Sequence, residues 1–340
     1  MGLSVRSGPF TLCLAWLAFL AGKSAESNAH VTSYAVDGRG VAGIVETNDG
    51  SIWYAARFSN AIGRLDPATA TSTLLLPPTP NSAPAGLTSC ARRLWFVEAG
   101  STGLRQIGYV EQGKAREIPV AGDRARDGEL SSQYVGPVCF QHNLWFASPR
   151  SNGLWRYDLE SKAFAFFALR QPPGGIAGIA SDSKGGIYVV ELGAQRVDYV
   201  TALDSRARQI DIPRGLRLTS AITSGDGGVW VATSRGMAFV TKGRVSRLIP
   251  TPPVVAATVA RSGELWLVAR PNKLPGSPSL LRVKVRKGTY STVPIPRSLT
   301  LSYAIAPDRS DGVWIAAWNH FGTPSARQRM IHVASDDSMQ

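Results

Sequence analysis

The chain has 340 residues, of which 44% are hydrophobic, and a formal net charge of +13. So basic a protein is drawn to anionic partners such as lipid headgroups, cell-wall polymers or acidic ligands, but net charge speaks to association and not to chemistry. No nucleic-acid-binding motif accompanies the charge, and no stretch after residue 25 is long and apolar enough for a membrane-spanning helix, so neither partner is expected.

In chain order, residues 1–25 carry Arg6, an apolar run from Phe10 to Ala21, and the small residues Ser24 and Ala25 before Glu26. This is the pattern of a secretory signal peptide cleaved near Ala25, and its apolar run is shorter than the roughly 20 residues a spanning helix needs. A periplasmic or secreted protein is expected; a retained anchor is the alternative. Of the formal +13, Arg6 and Lys23 leave with the leader, so the mature chain carries +11.

The segment Gly43 to Pro67, GIVETNDGSIWYAARFSNAIGRLDP, then reads as a short strand, a turn at Asn48, Asp49 and Gly50, a second strand around Trp53, a polar loop, and a third strand at Ile62 to Leu65. Asn, Asp and Gly tolerate positive φ, and the flanking runs are too short and too β-rich for helices. The second-strand aromatic recurs at Trp95, Trp145, Tyr188, Trp230, Trp266 and Trp314, with spacings of 36 to 50 residues, the cadence of a propeller array. Packing between repeats is the sufficient role for these rings.

A fourth β-like segment closes six of the units, at Thr71 to Leu76, Arg116 to Val120, Phe164 to Leu169, Ala207 to Ile212, Val245 to Ile249 and Tyr290 to Ile295. The seventh such segment, Val31 to Val36, precedes the first unit. The expectation is an all-β, seven-bladed β-propeller spanning 26–336, with a short tail at 337–340, its ring closed by the N-terminal strand pairing into the last blade. A monomer is expected.

Cys13 belongs to the leader, which leaves Cys90 and Cys139 on the innermost strands of neighbouring blades. A disulfide between them and two buried free thiols both fit this placement.

WYAARFSNAIGRLDP, with Asn60 and Ile62-Gly63-Arg64, and the later TPNSAPAGLTSCARRLWFVEAG from Thr79 to Gly100, resemble the streptogramin B lyase (virginiamycin B lyase) family of seven-bladed propellers. The resemblance implies a metal-assisted elimination that opens a cyclic depsipeptide at its ester, with carboxylates holding Mg²⁺ and a histidine removing the proton. The family's histidine falls here on Ala42, Ala85, Val135, Ala177, Ser220, Ala256 and Tyr303, none of them a base of that kind. The carboxylate expected two positions earlier falls on Gly40, Ala83, Gln133, Gly175, Leu218, Val254 and Leu301. At the glutamate of the family's Trp-Phe-Thr-Glu word, Glu98 and Glu191 remain in units two and four. They are the candidate metal ligands.

First strands begin and second strands end on the same face of a propeller, so these positions surround one mouth. The loops after the aromatics add Arg57, Arg150, Arg235 and Arg270; with Tyr303 they form a candidate ligand-binding rim for carboxylate or phosphate groups. His320, in the last unit's loop, is the histidine expected at that mouth and the candidate base. Asp49, Asp182, Asp226 and Asp311 are read as turn formers, not metal ligands. The first functional reading is a binding or interaction propeller for an acidic or mixed-charge envelope ligand or a protein partner. The alternative is an enzyme, either a Mg²⁺-dependent carbon-oxygen lyase or a hydrolase of an ester or lactone.

Overall fold

The computed structural model describes residues 30–100, 106–120, 135–149, 152–169, 175–182, 184–201, 207–270, 277–319 and 327–335. The leader, the tail at 337–340, the loop 122–133, most of the loop 271–278, Arg150, His320 and the side chains of residues 220 and 221 lie outside that description.

The first strand, β1 (Val31–Ala35), skips its sequence neighbours and pairs antiparallel with the last one, β28 (Arg327–Val333), with Val31 opposite Val333. Blade seven therefore holds both ends of the described chain, in the order β1, β28, β27 (Val313–Asn319) and β26 (Leu299–Pro307). The other six sheets are simple four-stranded meanders. Blade one runs β2 (Val41–Glu46), β3 (Ile52–Ala56), β4 (Ala61–Asp66), β5 (Thr71–Leu75). Blade two runs β6 (Pro84–Cys90), β7 (Arg93–Glu98), β8 (Gln106–Glu111), β9 (Lys114–Pro119). Blade three runs β10 (Val135–Phe140), β11 (Asn143–Ser148), β12 (Gly153–Asp158), β13 (Phe164–Ala168). Blade four runs β14 (Ile176–Ser181), β15 (Gly186–Glu191), β16 (Arg196–Thr201), β17 (Arg208–Ile210). Blade five runs β18 (Leu218–Gly225), β19 (Gly228–Thr233), β20 (Gly236–Thr241), β21 (Arg244–Ile249). Blade six runs β22 (Val254–Val259), β23 (Leu265–Ala269), β24 (Ser279–Lys284), β25 (Thr289–Val293).

The second strands are near-continuous apolar runs, and β15, β19 and β23 are buried at every position. The reason is architectural: each blade packs a neighbour on both faces, so both sides of the pleat lose water. The core clusters are accordingly inter-blade, one of them joining Trp95 and Val97 of blade two to Leu144, Phe146 and Tyr157 of blade three. The outer strands revert to half-exposed patterns, as in β5 with Ser72 and Leu75 half-buried and Thr71, Thr73 and Leu74 exposed.

The recurring aromatics take the packing role expected of them, with one addition. Each stands directly opposite a second planar group on the third strand: Trp53 faces Arg64, Trp95 faces Tyr109, Trp145 faces Arg156, Tyr188 faces Tyr199, Trp230 faces Phe239, Trp266 faces Arg282 and Trp314 faces His332. Ring pairs sit at 4.8 Å for Tyr188 and Tyr199 and 4.4 Å for Trp314 and His332, and the arginines lie 5.6 to 5.9 Å over their indoles. Such cross-strand pairs stabilise a sheet beyond the area they bury.

The turn aspartates divide. Asp182 accepts from the backbone amides of Lys184 and Gly186, closing its hairpin. In blade seven that task falls to Asp308, which accepts from Ser310 and Gly312, while Asp311 reaches across to the amide of Ser262 in blade six. Position within the turn, not adjacency to glycine, selects the capping carboxylate.

Candidate functional site

The seven innermost strands surround a central channel, and each of them breaks register with its partner: between Val41 and Gly43, Pro84 and Leu87, Val135 and Val138, Ile176 and Gly178, Leu218 and Ile222, Val254 and Ala256, and Leu301 and Ile305. A bulge bends a strand and releases backbone groups, which is how edge strands are aimed around an opening. The positions read as equivalents of the family's histidine lie at or beside these bulges. Small residues dominate there because the strands approach backbone to backbone. A Cβ added to Gly86 would meet the Gly136 carbonyl oxygen at 1.5 Å, and one added to Gly43 would meet that of Ala85 at 2.8 Å.

The resulting cavity, about 370 Å³, is lined by these bulge residues, and Tyr303 is the one described lining side chain with a polar atom. Tyr303 is 63% exposed and the channel holds no carboxylate or imidazole among its described lining residues. Glu98 and Glu191 end their strands short of this lining.

The two glutamates meet opposite fates. Glu191 is fully buried and clamped by Arg196 on the neighbouring strand, with Nε to Oε1 at 3.1 Å and Nη2 to Oε2 at 2.8 Å. Arg196 also lies 3.5 Å from Asp198, so one guanidinium serves two buried acids. A carboxylate held bidentately in this way has its lone pairs and charge already met.

In blade two Gln106 precedes Ile107 as Arg196 precedes Val197, each of the latter opposite the valine before its glutamate. The amide brings no charge. Its Nε2 donates instead to Thr79 Oγ1 at 2.6 Å and to Glu117 Oε2 at 3.1 Å, and Glu117 also accepts from the Thr79 amide and hydroxyl. Glu98, 3% exposed, makes no hydrogen bond of good geometry through either oxygen, although Glu117, Gln106 and Ser82 are its polar neighbours. Burial, and next the nearby Glu117 carboxylate, push its carboxyl up to about 9, so at neutral pH it carries its proton.

Glu98 and Glu191 thus have different surroundings, in sheets separated by the whole of blade three. That arrangement does not fit a magnesium ion shared between them, and no group of three or more His, Cys, Asp or Glu suited to a metal occurs among the described residues.

The rim is arginine-rich. Arg57 begins a single 3-10 turn, Arg57–Ser59, and is half-buried, whereas Arg235 and Arg270 are exposed at the ends of β19 and β23. The loops that lead from one blade's outer strand to the next blade's inner strand open on the same face. They add Arg39, Arg214, Arg217 and Arg297, all exposed, and Arg327 opens β28 beside them. These were missed in the sequence because inter-blade segments read as linkers; their composition, in DIPRGLR and PIPRS, was the available signal. Every described cation of the mouth loops is an arginine, and the exposed acids among them are Asp37 and Asp211.

On the opposite end of the sheets, Cys90 and Cys139 are joined by a disulfide that links β6 to β10, with the Cα atoms 5.4 Å apart.

No family model and no curated protein matches the sequence. Among solved structures, a streptogramin B lyase is similar at a TM-score of 0.72 and 18% identity, over 90% of this chain and 98% of that one. A catalytically inactive virginiamycin B lyase from Staphylococcus aureus with quinupristin follows at 0.71 and 17%, over 89% and 99%. The WD40 repeats of RRP9 are similar at 0.66 and 11%, over 92% and 98%. At these identities the likeness is one of architecture: the chain has the propeller fold that streptogramin B lyase and WD40 repeats share.

Proposed function

We propose that this protein is an exported binding propeller whose arginine-rimmed mouth engages an anionic or mixed-charge ligand of the cell envelope, or a partner protein presenting one. The observation that carries the reading is the composition of the mouth loops, where arginine accounts for every described cation and exposed acids are few. Planar guanidinium forks bind carboxylate and phosphate bidentately, and several on one rim favour a ligand with several anionic groups. Export rests on the leader pattern of residues 1–25 and accords with the Cys90–Cys139 bridge, which persists in oxidising compartments.

The test is titration of the mature protein with a short polyphosphate chain, at low and high salt, alongside an Arg217→Ala, Arg235→Ala, Arg270→Ala variant. The expected result is binding that weakens with salt and falls at least about tenfold in the variant. Equal binding by variant and wild type would remove the mouth from the reading.

A second reading, a lyase opening a cyclic depsipeptide or a hydrolase of an ester or lactone, is favoured by Glu98, a buried carboxyl that retains a proton to donate. It ranks below the first because neither Glu98 nor Glu191 lines the channel cavity. Magnesium-dependent turnover of a streptogramin B, lost in Glu98→Gln, would reverse the order.

A further inference from the structure

On the face opposite the mouth, a cavity of about 440 Å³ opens between the first hairpins of blades one and two. Its floor is apolar, made by Trp53, Leu94 and Val110, and its rim is polar, with Asn48, Ser89 and Arg92. Trp53 is the exception in the aromatic series: the other six rings are buried at 5% exposure or less, while Trp53 is half-buried and borders this space.

The charged groups here are already engaged, with one exception. Asp49 accepts from the Thr47 and Ser51 hydroxyls and pairs with Arg64 at 3.2 Å. Arg93 pairs with Glu111 at 2.6 Å and lies over the Tyr109 ring. The Asn48 carbonyl and side-chain oxygens accept from Arg309 of blade seven. Arg92 is exposed on the rim and makes no hydrogen bond or ion pair with the described residues. Its hairpin is anchored from behind, because Cys90 is bridged to blade three and its carbonyl accepts from Trp95 Nε1 at 3.2 Å.

An indole bordering a shallow cavity, with hydroxyl and amide groups around it and one uncommitted guanidinium at its edge, matches a particular chemistry. The C–H face of a sugar ring packs on apolar aromatic surface, its hydroxyls pair with small polar side chains, and a carboxylate fits the guanidinium fork. We infer that this cavity is a binding site for a hexuronic acid, a sugar ring bearing a carboxylate, with the exposed part of Trp53, beside the Arg64 guanidinium that lies over its ring, joining Leu94 and Val110 as the apolar floor and Arg92 as the anion anchor. The site is distinct from the mouth and stands whether or not the mouth binds anions.

Arg92 occupies a left-handed backbone conformation, φ 62°, next to Ala91 at φ 48°. Glycine adopts that conformation freely, so Arg92→Gly removes the anchor without a cost to folding. The experiment is calorimetric titration of wild type and Arg92→Gly with glucuronate and with glucose. Expected are glucuronate binding by the wild type, glucose at least about tenfold weaker, and a loss of about tenfold or more for glucuronate in a variant whose Tm is not lowered. Absence of glucuronate binding up to about 10 mM, equal affinity for glucose, or undiminished binding in Arg92→Gly would each overturn the assignment.

Discussion

Glu98 and Glu191 occupy equivalent ends of β7 and β15, yet their surroundings are set apart by one residue on the adjacent strand, Gln106 in one blade and Arg196 in the other. The consequence is a contrast in mutational response. The Glu98 carboxyl has its pKa raised in the folded protein, from 4.5 to about 9. Below that window the group is protonated in both states; through it, unfolding releases the proton, so stability falls as pH rises, by about 1.4 kcal/mol per pH unit at most. Glu98→Gln is therefore expected to leave stability unchanged at about pH 4, below the window, and to flatten its decline toward about pH 9, read from urea midpoints across that range. Arg196→Met leaves Glu191 and Asp198 without their shared cation, and a loss of roughly 3 to 5 kcal/mol at neutral pH is expected by the same measurement. The glutamates were legible from the repeat. Their inequality was not, because which third-strand residue faces each of them depends on loop length and register.

The inner strands of blades two and three make one unit through the disulfide between Cys90 and Cys139, 49 residues apart. Closing a loop of that length restricts the unfolded chain, and about 4 kcal/mol is the upper expectation from chain entropy alone. Reduction, or the Cys90→Ala, Cys139→Ala variant, is expected to lower the unfolding free energy by about 2 to 4 kcal/mol in urea. An unchanged midpoint would mean that inter-blade packing around Trp95 and Phe146 alone holds these strands. The cysteines' places on neighbouring inner strands followed from their distance to Trp95 and Trp145, but a strand's side chains alternate faces, and only the paired register decides whether two sulfurs meet. The same limit applied to the bulges: Gly43 and Gly86 lack a side chain because the backbone of the next blade crowds them, a reason invisible in any single repeat.

The whole ring depends on β1, five residues that complete blade seven against β28. A propeller blade lacking its outer strand exposes an unpaired edge, and the first and last blades are then held by side-chain packing alone. Deleting residues 26–36 is expected to lower Tm and to split the single unfolding transition, with hydrogen exchange rising first in β26, β27 and β28. A variant that melts as cooperatively as the full mature chain would show that packing of Trp314, Ala316 and Met330 against blade one does not need the strand. Charge is also a property of this scale: a net excess that in composition is one number becomes, on the ring, an arginine rim on one face and, at the cavity on the other, the uncommitted Arg92.

Read locally, the chain already carries its strands, turns and seven-fold count, because β periodicity, turn residues and the spacing of an aromatic are properties of neighbouring residues. Ring closure was legible for the same reason, as a surplus strand at one end and a missing one at the other. What the assembled ring alone could settle is which side chains lose water, which charges find partners and which backbones collide. Those outcomes turn on contacts between blades, across residues far apart in sequence, and burial and Coulomb energies act through space and not along the chain.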